Sequence, residues 1–274
     1  MLVDNGSLEP AATLGLRAIA ARLGEALGCA VAPVSMLHAD AVPAERLEGR
    51  PAEIFKTALA RRAEQGQTGF LVVPLFFGSS EAITVYMPKC VTVLQARFPR
   101  LRVRCAPCLV DLNAGADERM AAMLEDRVRA AMAGLSGPPT TVLVDHGSPV
   151  RAVGAVRYHL AAQLAARLGR AMSGVRAASM ERRPGPEYDF NEPLLERVLD
   201  ESGMDTGSVI VAMQFLLPGR HAGPDGDVAR ICTAARQRRG LRLVMTELVG
   251  SHPGLIPLLA DRARQGMASA PLPG

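Results

Sequence analysis

Two histidines and one glutamate stand where a metal ion could be bound. His146 closely follows the apolar segment 141–144, and His221 lies a few residues beyond the apolar segment 209–217. Glu181 follows a further predicted strand, 175–180. Short, almost continuously apolar segments are typical of strands buried on both faces of a parallel sheet, and ligands bind outside the carboxyl ends of these strands. We therefore expect the three side chains to meet at one rim of a sheet.

These residue types favour transition-metal and proton chemistry. Two neutral imidazoles and a carboxylate are good ligands for a divalent metal such as cobalt, nickel or iron, and imidazole accepts protons near neutral pH. A single histidine after a strand is usually an ordinary polar loop residue, but two on one predicted rim favour a site. His38 and His159 fit structural positions, and His252 fits a loop that leads into a helix.

Two other motifs are weaker candidates for chemistry. Cys105-Ala106-Pro107-Cys108 has the spacing of a redox or metal motif, but strand alternation places both thiols in or near a core. No second cysteine pair completes a zinc or iron–sulfur site. The segment 223–227 lacks the further oxygen ligands of a calcium loop. The five cysteines are scattered and odd in number, which argues against a disulfide framework.

The chain contains an internal repeat, in which the second copy follows the first about 140 residues later. The segment 2–7 (LVDNGS) matches 143–148 (LVDHGS). Further matches follow in the same order: Leu27-Gly28 with Leu168-Gly169, Ser35-Met36 with Ser179-Met180, 69–77 with 208–216, and Leu101-Arg102 with Leu241-Arg242. Asn5 and Ala82 occupy the positions of His146 and His221 in the first copy. We therefore predict one active site per chain.

Strand-like and helical patterns alternate in both copies. This alternation predicts an α/β fold with two tandem, doubly wound parallel-sheet lobes, each a three-layer αβα arrangement related to the other by duplication. The stretch Ser136-Gly137-Pro138-Pro139 has the composition of a linker. We place an N-terminal lobe with a degenerate site at 1–136 and a C-terminal lobe with the metal site at 137–274.

Composition narrows the possible partners. Of the 274 residues 49% are hydrophobic, yet no apolar run reaches the roughly 18 residues that a membrane helix needs. The N-terminal segment lacks the features of a signal peptide, so we expect a cytoplasmic protein that does not associate with membranes. The net charge of +4 favours an anionic partner. No dense Lys/Arg stripe indicates nucleic-acid binding, and a small polycarboxylate fits better.

The ordered motifs resemble those of the CbiX-type sirohydrochlorin chelatases. The motifs are Asp145-His146-Gly147-Ser148, Ser179-Met180-Glu181 with Asn191-Glu192-Pro193, Phe215 to His221, and Leu248 to Pro253. The resemblance covers essentially the whole chain, because the first half repeats the pattern in degenerate form. It implies ATP-independent insertion of Co2+ or Fe2+ into sirohydrochlorin, toward cobalamin or siroheme. The resemblance implies no cofactor beyond the substrate metal, and residues 266–274 hold no Cys or His for an iron–sulfur cluster.

The same resemblance implies residue roles. His146 and His221 become metal ligands and proton acceptors, with Glu181 as the third catalytic and metal-binding residue. Metallation removes two protons from pyrrole nitrogens, which explains the need for bases that also bind the metal loosely.

Other residues beside these ligands suit an acidic, flat tetrapyrrole. We assign Ser148, Arg182, Arg220 and Met180 to substrate binding, and Arg183 is a further cation in the same region. The arginines could equally be solvated loop residues. Two other functions stay open: a porphyrin ferrochelatase, and a non-catalytic carrier of tetrapyrrole or metal.

Overall fold

The computed structural model describes residues 1–113 and 117–273. The first half contains β1 (Leu2–Asp4), α1 (Pro10–Leu27), β2 (Pro33–Ser35), α2 (Phe55–Glu64), β3 (Gly69–Pro74), α3 (Met87–Arg97) and β4 (Arg102–Cys105). The second contains α4 (Arg119–Ala131), β5 (Thr140–Asp145), α5 (Arg151–Leu168), β6 (Gly174–Ser179), α6 (Leu195–Asp200), β7 (Ser208–Met213), α7 (Asp227–Arg239), β8 (Arg242–Met245) and α8 (Leu255–Ala268). None of the helices in these residues is both long and apolar enough to cross a membrane.

The strands form two parallel sheets of identical topology. The order is β2-β1-β3-β4 in one sheet and β6-β5-β7-β8 in the other. This confirms the predicted α/β architecture and the duplication behind it. The strand order reverses between β1 and β3 and between β5 and β7, and such switch points are where doubly wound sheets bind ligands.

Both faces of the second sheet are covered, which explains its continuous apolar strands. On one face, Val142 and Val144 of β5 pack with Leu199 of α6 and Cys232 of α7 in a single core. Helix α5 contacts β5 and β6, and α4 packs against α5. A strand that is buried on both faces has no solvent-facing positions, so its sequence shows no alternation.

The compact units do not coincide with the duplicated sequence halves. One unit comprises Met1–Asp111 and Ile256–Gly274, and the other comprises Leu112–Leu255. Helix α4 therefore belongs to the second unit and nearly all of α8 to the first, where Arg262 donates to the Leu109 carbonyl at 3.0 Å. The lobe boundary that the sequence predicts, between residues 136 and 137, therefore follows the internal repeat and differs from the boundaries of the compact units.

A buried aspartate ends the central strand of each sheet, but only one has a cation. The Asp145 carboxylate receives a hydrogen bond of 2.8 Å from Arg157, which is completely buried. In the first copy Leu16 occupies the repeat position of Arg157, and Oδ1 of Asp4 has no hydrogen-bond partner among the described residues. Burial raises the pKa of Asp4 to about 6, although hydrogen bonds from Ser35 and the Gly6 backbone oppose this shift.

The raised pKa of Asp4 makes a prediction about stability and pH. Because the folded pKa exceeds the ordinary value of 3.8, the folded state binds the proton more tightly than the unfolded state. Its contribution to stability is therefore largest at low pH and is lost as pH rises from about 4 to about 6. We expect Asp4→Asn to remove this loss, so its free energy of unfolding should rise relative to wild type across that window. Urea titrations followed by circular dichroism at several pH values measure the difference.

Asp145→Asn is the matched control. It leaves Arg157 buried without its carboxylate, which should lower the free energy of unfolding by about 3–5 kcal/mol. If Asp4→Asn lowered the free energy of unfolding equally at every pH, Asp4 would not be a buried carboxyl group without a cation.

Candidate metal and active site

The loop after β5 places His146 beside Glu181. Gly147 has a φ of +91°, and a Cβ at this position would collide with the carbonyl oxygen of Glu181. Beyond the strand ends, Met180 N donates to Asp145 O at 2.8 Å and Glu181 N donates to His146 O at 3.2 Å. The backbone pairing of β5 and β6 therefore continues through both site residues, and only glycine permits this close approach at 147.

The loop after β7 folds back onto the start of α7 and fixes the backbone of His221. The His221 carbonyl accepts a hydrogen bond from Val228 N at 3.2 Å. A Cβ at Gly226 would lie only 2.6 Å from the same carbonyl oxygen. Since Asp227 is the first residue of α7, this close packing places its carboxylate next to the imidazole of His221.

The two imidazoles meet at the carboxyl ends of neighbouring strands. The ring centroids of His146 and His221 are 4.4 Å apart, and the ring planes are inclined by 47°. His146 Nε2 lies 3.1 Å from Glu181 Oε1. In residues 1–113 and 117–273, no three His, Cys, Asp or Glu side chains are already arranged around a single metal position. The three residues thus converge through the pairs His146–His221 and His146–Glu181.

The hydrogen bonds define where protons lie. His146 Nδ1 lies 3.0 Å from the Gly147 carbonyl oxygen, while Nε2 faces Glu181. Both of these partners are hydrogen-bond acceptors. His221 Nδ1 lies 2.6 Å from Asp227 Oδ2. A proton on His221 Nδ1 satisfies that carboxylate and leaves Nε2 as the ring's lone-pair nitrogen.

Asp227 is a site residue that sequence reasoning missed. Its hydrogen bond with His221 lowers the pKa of the Asp227 carboxyl group, and the nearby charges of Arg230 and Arg220 act in the same direction. In sequence, the segment 223–227 resembles a calcium loop only superficially. An acidic residue at the start of a helix, six positions after a candidate ligand, was the available signal.

Two buried side chains hold the His146 loop from behind. Arg157 donates from Nη1 to both Asp145 Oδ1 at 2.8 Å and Ser179 Oγ at 2.6 Å, and from Nη2 to Phe190 O at 3.0 Å. Asn191 is also fully buried; its Oδ1 accepts Ser148 N at 3.0 Å and its Nδ2 donates to Ser148 O at 2.9 Å. The backbone around His146 is therefore fixed before any ligand arrives.

Two of the expected substrate-binding residues have internal partners. Ser148 Oγ accepts Val150 N at 3.0 Å, which helps to begin α5. Arg182 donates to Asp189 at 2.6 Å and to Glu192 at 3.1 Å. Arg182 therefore has two carboxylate partners within the protein, and Ser148 has a backbone partner at the start of α5.

The other two residues lie in opposite environments. Met180, expected to bind substrate, is buried in the core of the second lobe with Val144 and Val211. The reason is alternation: Ser179 faces Arg157, so the next residue faces the opposite side of the sheet. Arg220 is 78% exposed and lies 3.8 Å from Asp227, and it stays available to an anion.

His252 and the cysteine pair have structural roles. His252 Nδ1 accepts Gly254 N at 3.0 Å, and its Nε2 lies 3.2 Å from Asp126 of α4. Burial raises the pKa of Cys105 to about 12 and that of Cys108 to about 11. Protonated thiols are poor metal ligands and nucleophiles, in agreement with their predicted core location.

One protein-family model matches the first part of the chain. The CbiX model matches residues 1–131. This part of the chain is similar to the CbiX family. The matched residues of this CbiX lobe include Asn5 and Ala82 rather than the histidine pair, and the second half repeats the CbiX lobe in sequence and strand order. No curated protein sequence matches the chain significantly.

Solved structures share the fold of both CbiX-like lobes. SirB from Bacillus subtilis with Fe3+ has 16% identity and a TM-score of 0.71, covering 97% of this chain and 94% of its own. SirB from Bacillus subtilis subspecies spizizenii with cobalt has 16% identity and a TM-score of 0.69, covering 99% and 97%. CbiX, described as the terminal enzyme of siroheme biosynthesis in denitrifying bacteria, has 18% identity and a TM-score of 0.62, covering 98% of each chain. The chain therefore has the two-lobed chelatase fold.

The His221–Asp227 contact predicts an effect on metal binding. Asp227→Asn keeps the size of the side chain but removes the charge that holds the proton on His221 Nδ1. Loss of such a partner typically lowers metal affinity about 10- to 100-fold, and we expect this for Co2+ measured by absorbance titration. Asp225→Asn is the control, because Asp225 is exposed and contributes only its carbonyl oxygen, to Arg230. Equal affinities of the two variants would contradict the role of Asp227.

Proposed function

We propose that this protein inserts a divalent metal ion, Co2+ or Fe2+, into sirohydrochlorin without ATP, and that the site lies in the second lobe. The observation that carries the proposal is the contact of the two imidazoles at 4.4 Å on the switch point of the second sheet. The CbiX match of residues 1–131 and the fold shared with SirB and CbiX support the same reaction class.

The metal enters as a substrate held by few protein ligands. His146 and His221 bind it through their Nε2 atoms, and Glu181 moves from His146 to the metal as the third ligand. These imidazole and carboxylate donors suit both Co2+ and Fe2+. Because three ligands leave coordination positions of the metal ion open, the nitrogen atoms of the macrocycle can bind the ion and take it over.

The histidines then take up the protons that the macrocycle releases. Insertion of a divalent ion displaces two pyrrole N–H protons, and departure of the metal frees the Nε2 atoms of both imidazoles to accept them. Asp227, at 2.6 Å, stabilises the positive charge on His221. Glu181, at 3.1 Å, does the same for His146.

The first lobe has no equivalent chemistry. Asn5, Leu37 and Ala82 occupy the repeat positions of His146, Glu181 and His221. Neither an amide nor an apolar side chain binds a first-row metal well or accepts a proton near neutral pH. The proposal therefore assigns one metal site to each chain.

Loss of either histidine should abolish catalysed metallation. The measurement is anaerobic absorbance of sirohydrochlorin with Co2+ or Fe2+, compared with the spontaneous rate. We expect His146→Ala and His221→Ala to fall to near the spontaneous rate because each removes both a ligand and a proton acceptor. Asn5→Ala, the matched substitution in the first copy, should retain most of the activity.

Three outcomes would contradict the proposal. Equal losses in His146→Ala and Asn5→Ala would overturn the single-site assignment. Stoichiometric binding of sirohydrochlorin and metal by the wild type, with no acceleration of their union, would indicate a carrier. Metallation of protoporphyrin but not sirohydrochlorin would indicate a porphyrin ferrochelatase.

A further inference from the structure

Most arginines of the second unit are already bound to polar groups of the protein. In the described part of that unit, only Arg151, Arg170 and Arg183 have side chains without a hydrogen bond or ion pair. All three are exposed. Two of them, Arg151 and Arg183, lie beside the same short turn, Pro186–Asn191, while Arg170 follows the far end of α5.

Aromatic rings hold these two guanidinium groups. The Arg151 guanidinium carbon lies 4.7 Å from the ring centroid of Phe190, and that of Arg183 lies 5.9 Å from the ring centroid of Tyr188. A guanidinium over an aromatic ring keeps its N–H donors directed outward, where they can bind a carboxylate in bidentate fashion. The two arginines are thus positioned without being neutralised.

The turn itself is rigid and adjoins the proposed metal site. Phe190 lies against α5 so closely that a Cβ at Gly154 would be 2.9 Å from its ring. The Phe190 carbonyl oxygen accepts a hydrogen bond from Arg157. The next residue, Asn191, accepts a hydrogen bond from the backbone of Ser148, which lies two positions after His146. Arg183 lies two positions after Glu181. Both cations therefore flank the loops that carry the metal-binding side chains.

We propose that Arg151 and Arg183 bind carboxylate groups on the periphery of the tetrapyrrole, and that Arg182 only holds the turn. This inference rests on the proposed function, and it adds a basis for substrate choice. A macrocycle with carboxylates around its whole periphery can place one at each free guanidinium group, whereas a porphyrin with carboxylates on a single edge can do so only where that edge faces both arginines. Arg182 contributes nothing further because Asp189 and Glu192 already bind it.

The test compares substitutions of Arg151 and Arg183, beside the site, with a substitution of Arg170, beyond the far end of α5. In the full chain, Arg151→Ala and Arg183→Ala should each raise the KM for sirohydrochlorin roughly 3- to 10-fold with kcat unchanged, because the lost contacts bind the substrate rather than the reacting atoms. Arg151→Lys should restore only part of the loss, since an ammonium keeps the charge but not the planar fork. Arg170→Ala removes the same charge far from the site and should leave KM unchanged.

Binding of metal-free uroporphyrin provides a readout that does not depend on metallation. Fluorescence titration should show the same loss for Arg151→Ala and Arg183→Ala, together with a weaker dependence of affinity on salt. Unchanged KM and uroporphyrin affinity in both variants, or an equal loss in Arg170→Ala, would overturn the arginine assignment while leaving the chelatase intact. A wild type that neither binds uroporphyrin nor metallates sirohydrochlorin would overturn the proposed function and this inference with it.

Discussion

The buried ion pair of Arg157 and Asp145 is the contact on which the geometry of the second lobe depends. One guanidinium joins the end of β5, the end of β6 through Ser179, and the turn that contains Phe190. A buried cation of this kind is costly unless each of its contacts is made, so the loops around it have little freedom to move independently. His146 follows the paired aspartate directly, and Glu181 follows Ser179 by two positions. The positions of two proposed metal ligands thus follow from an interaction that neither of them makes.

Comparison of the two duplicated lobes shows what the Arg157–Asp145 ion pair contributes to the second. The first lobe has the same strand order, a glycine with positive φ at the equivalent position 6 and the same buried aspartate, but Leu16 replaces the arginine. It has also lost the site residues, since Asn5, Leu37 and Ala82 stand at their positions. On the proposed function this lobe performs no metal chemistry, so its loops do not need to be held by a buried cation. The topology is therefore independent of the ion pair, whereas the arrangement of the site loops in the second lobe is not.

Much of this could be predicted from sequence because it depends on local patterns. Continuous apolar segments indicate parallel strands, and residues at their carboxyl ends meet at one rim, so the proximity of His146, His221 and Glu181 was predictable. Partners that depend on loop geometry were not. Asp227 and Asn191 act through contacts that form only when a loop folds back, and Arg157 lies on a helix like any other arginine. The burial of Met180 was not predictable either, because the face of the residue after the strand depends on the orientation of Ser179. The sequence also did not predict which compact unit α4 and α8 would join, because equivalent helices of the two repeated halves have similar apolar faces.

The central claim is that His146 and His221 together bind the metal ion. X-ray absorption spectroscopy at the cobalt edge, on the full chain loaded with Co2+ in the absence of tetrapyrrole, tests this most directly. The account predicts outer-shell scattering from two imidazole rings, reduced to one ring in His221→Ala and unchanged in Asn5→Ala. Scattering without an imidazole contribution, or with one that neither His146→Ala nor His221→Ala alters, would contradict it.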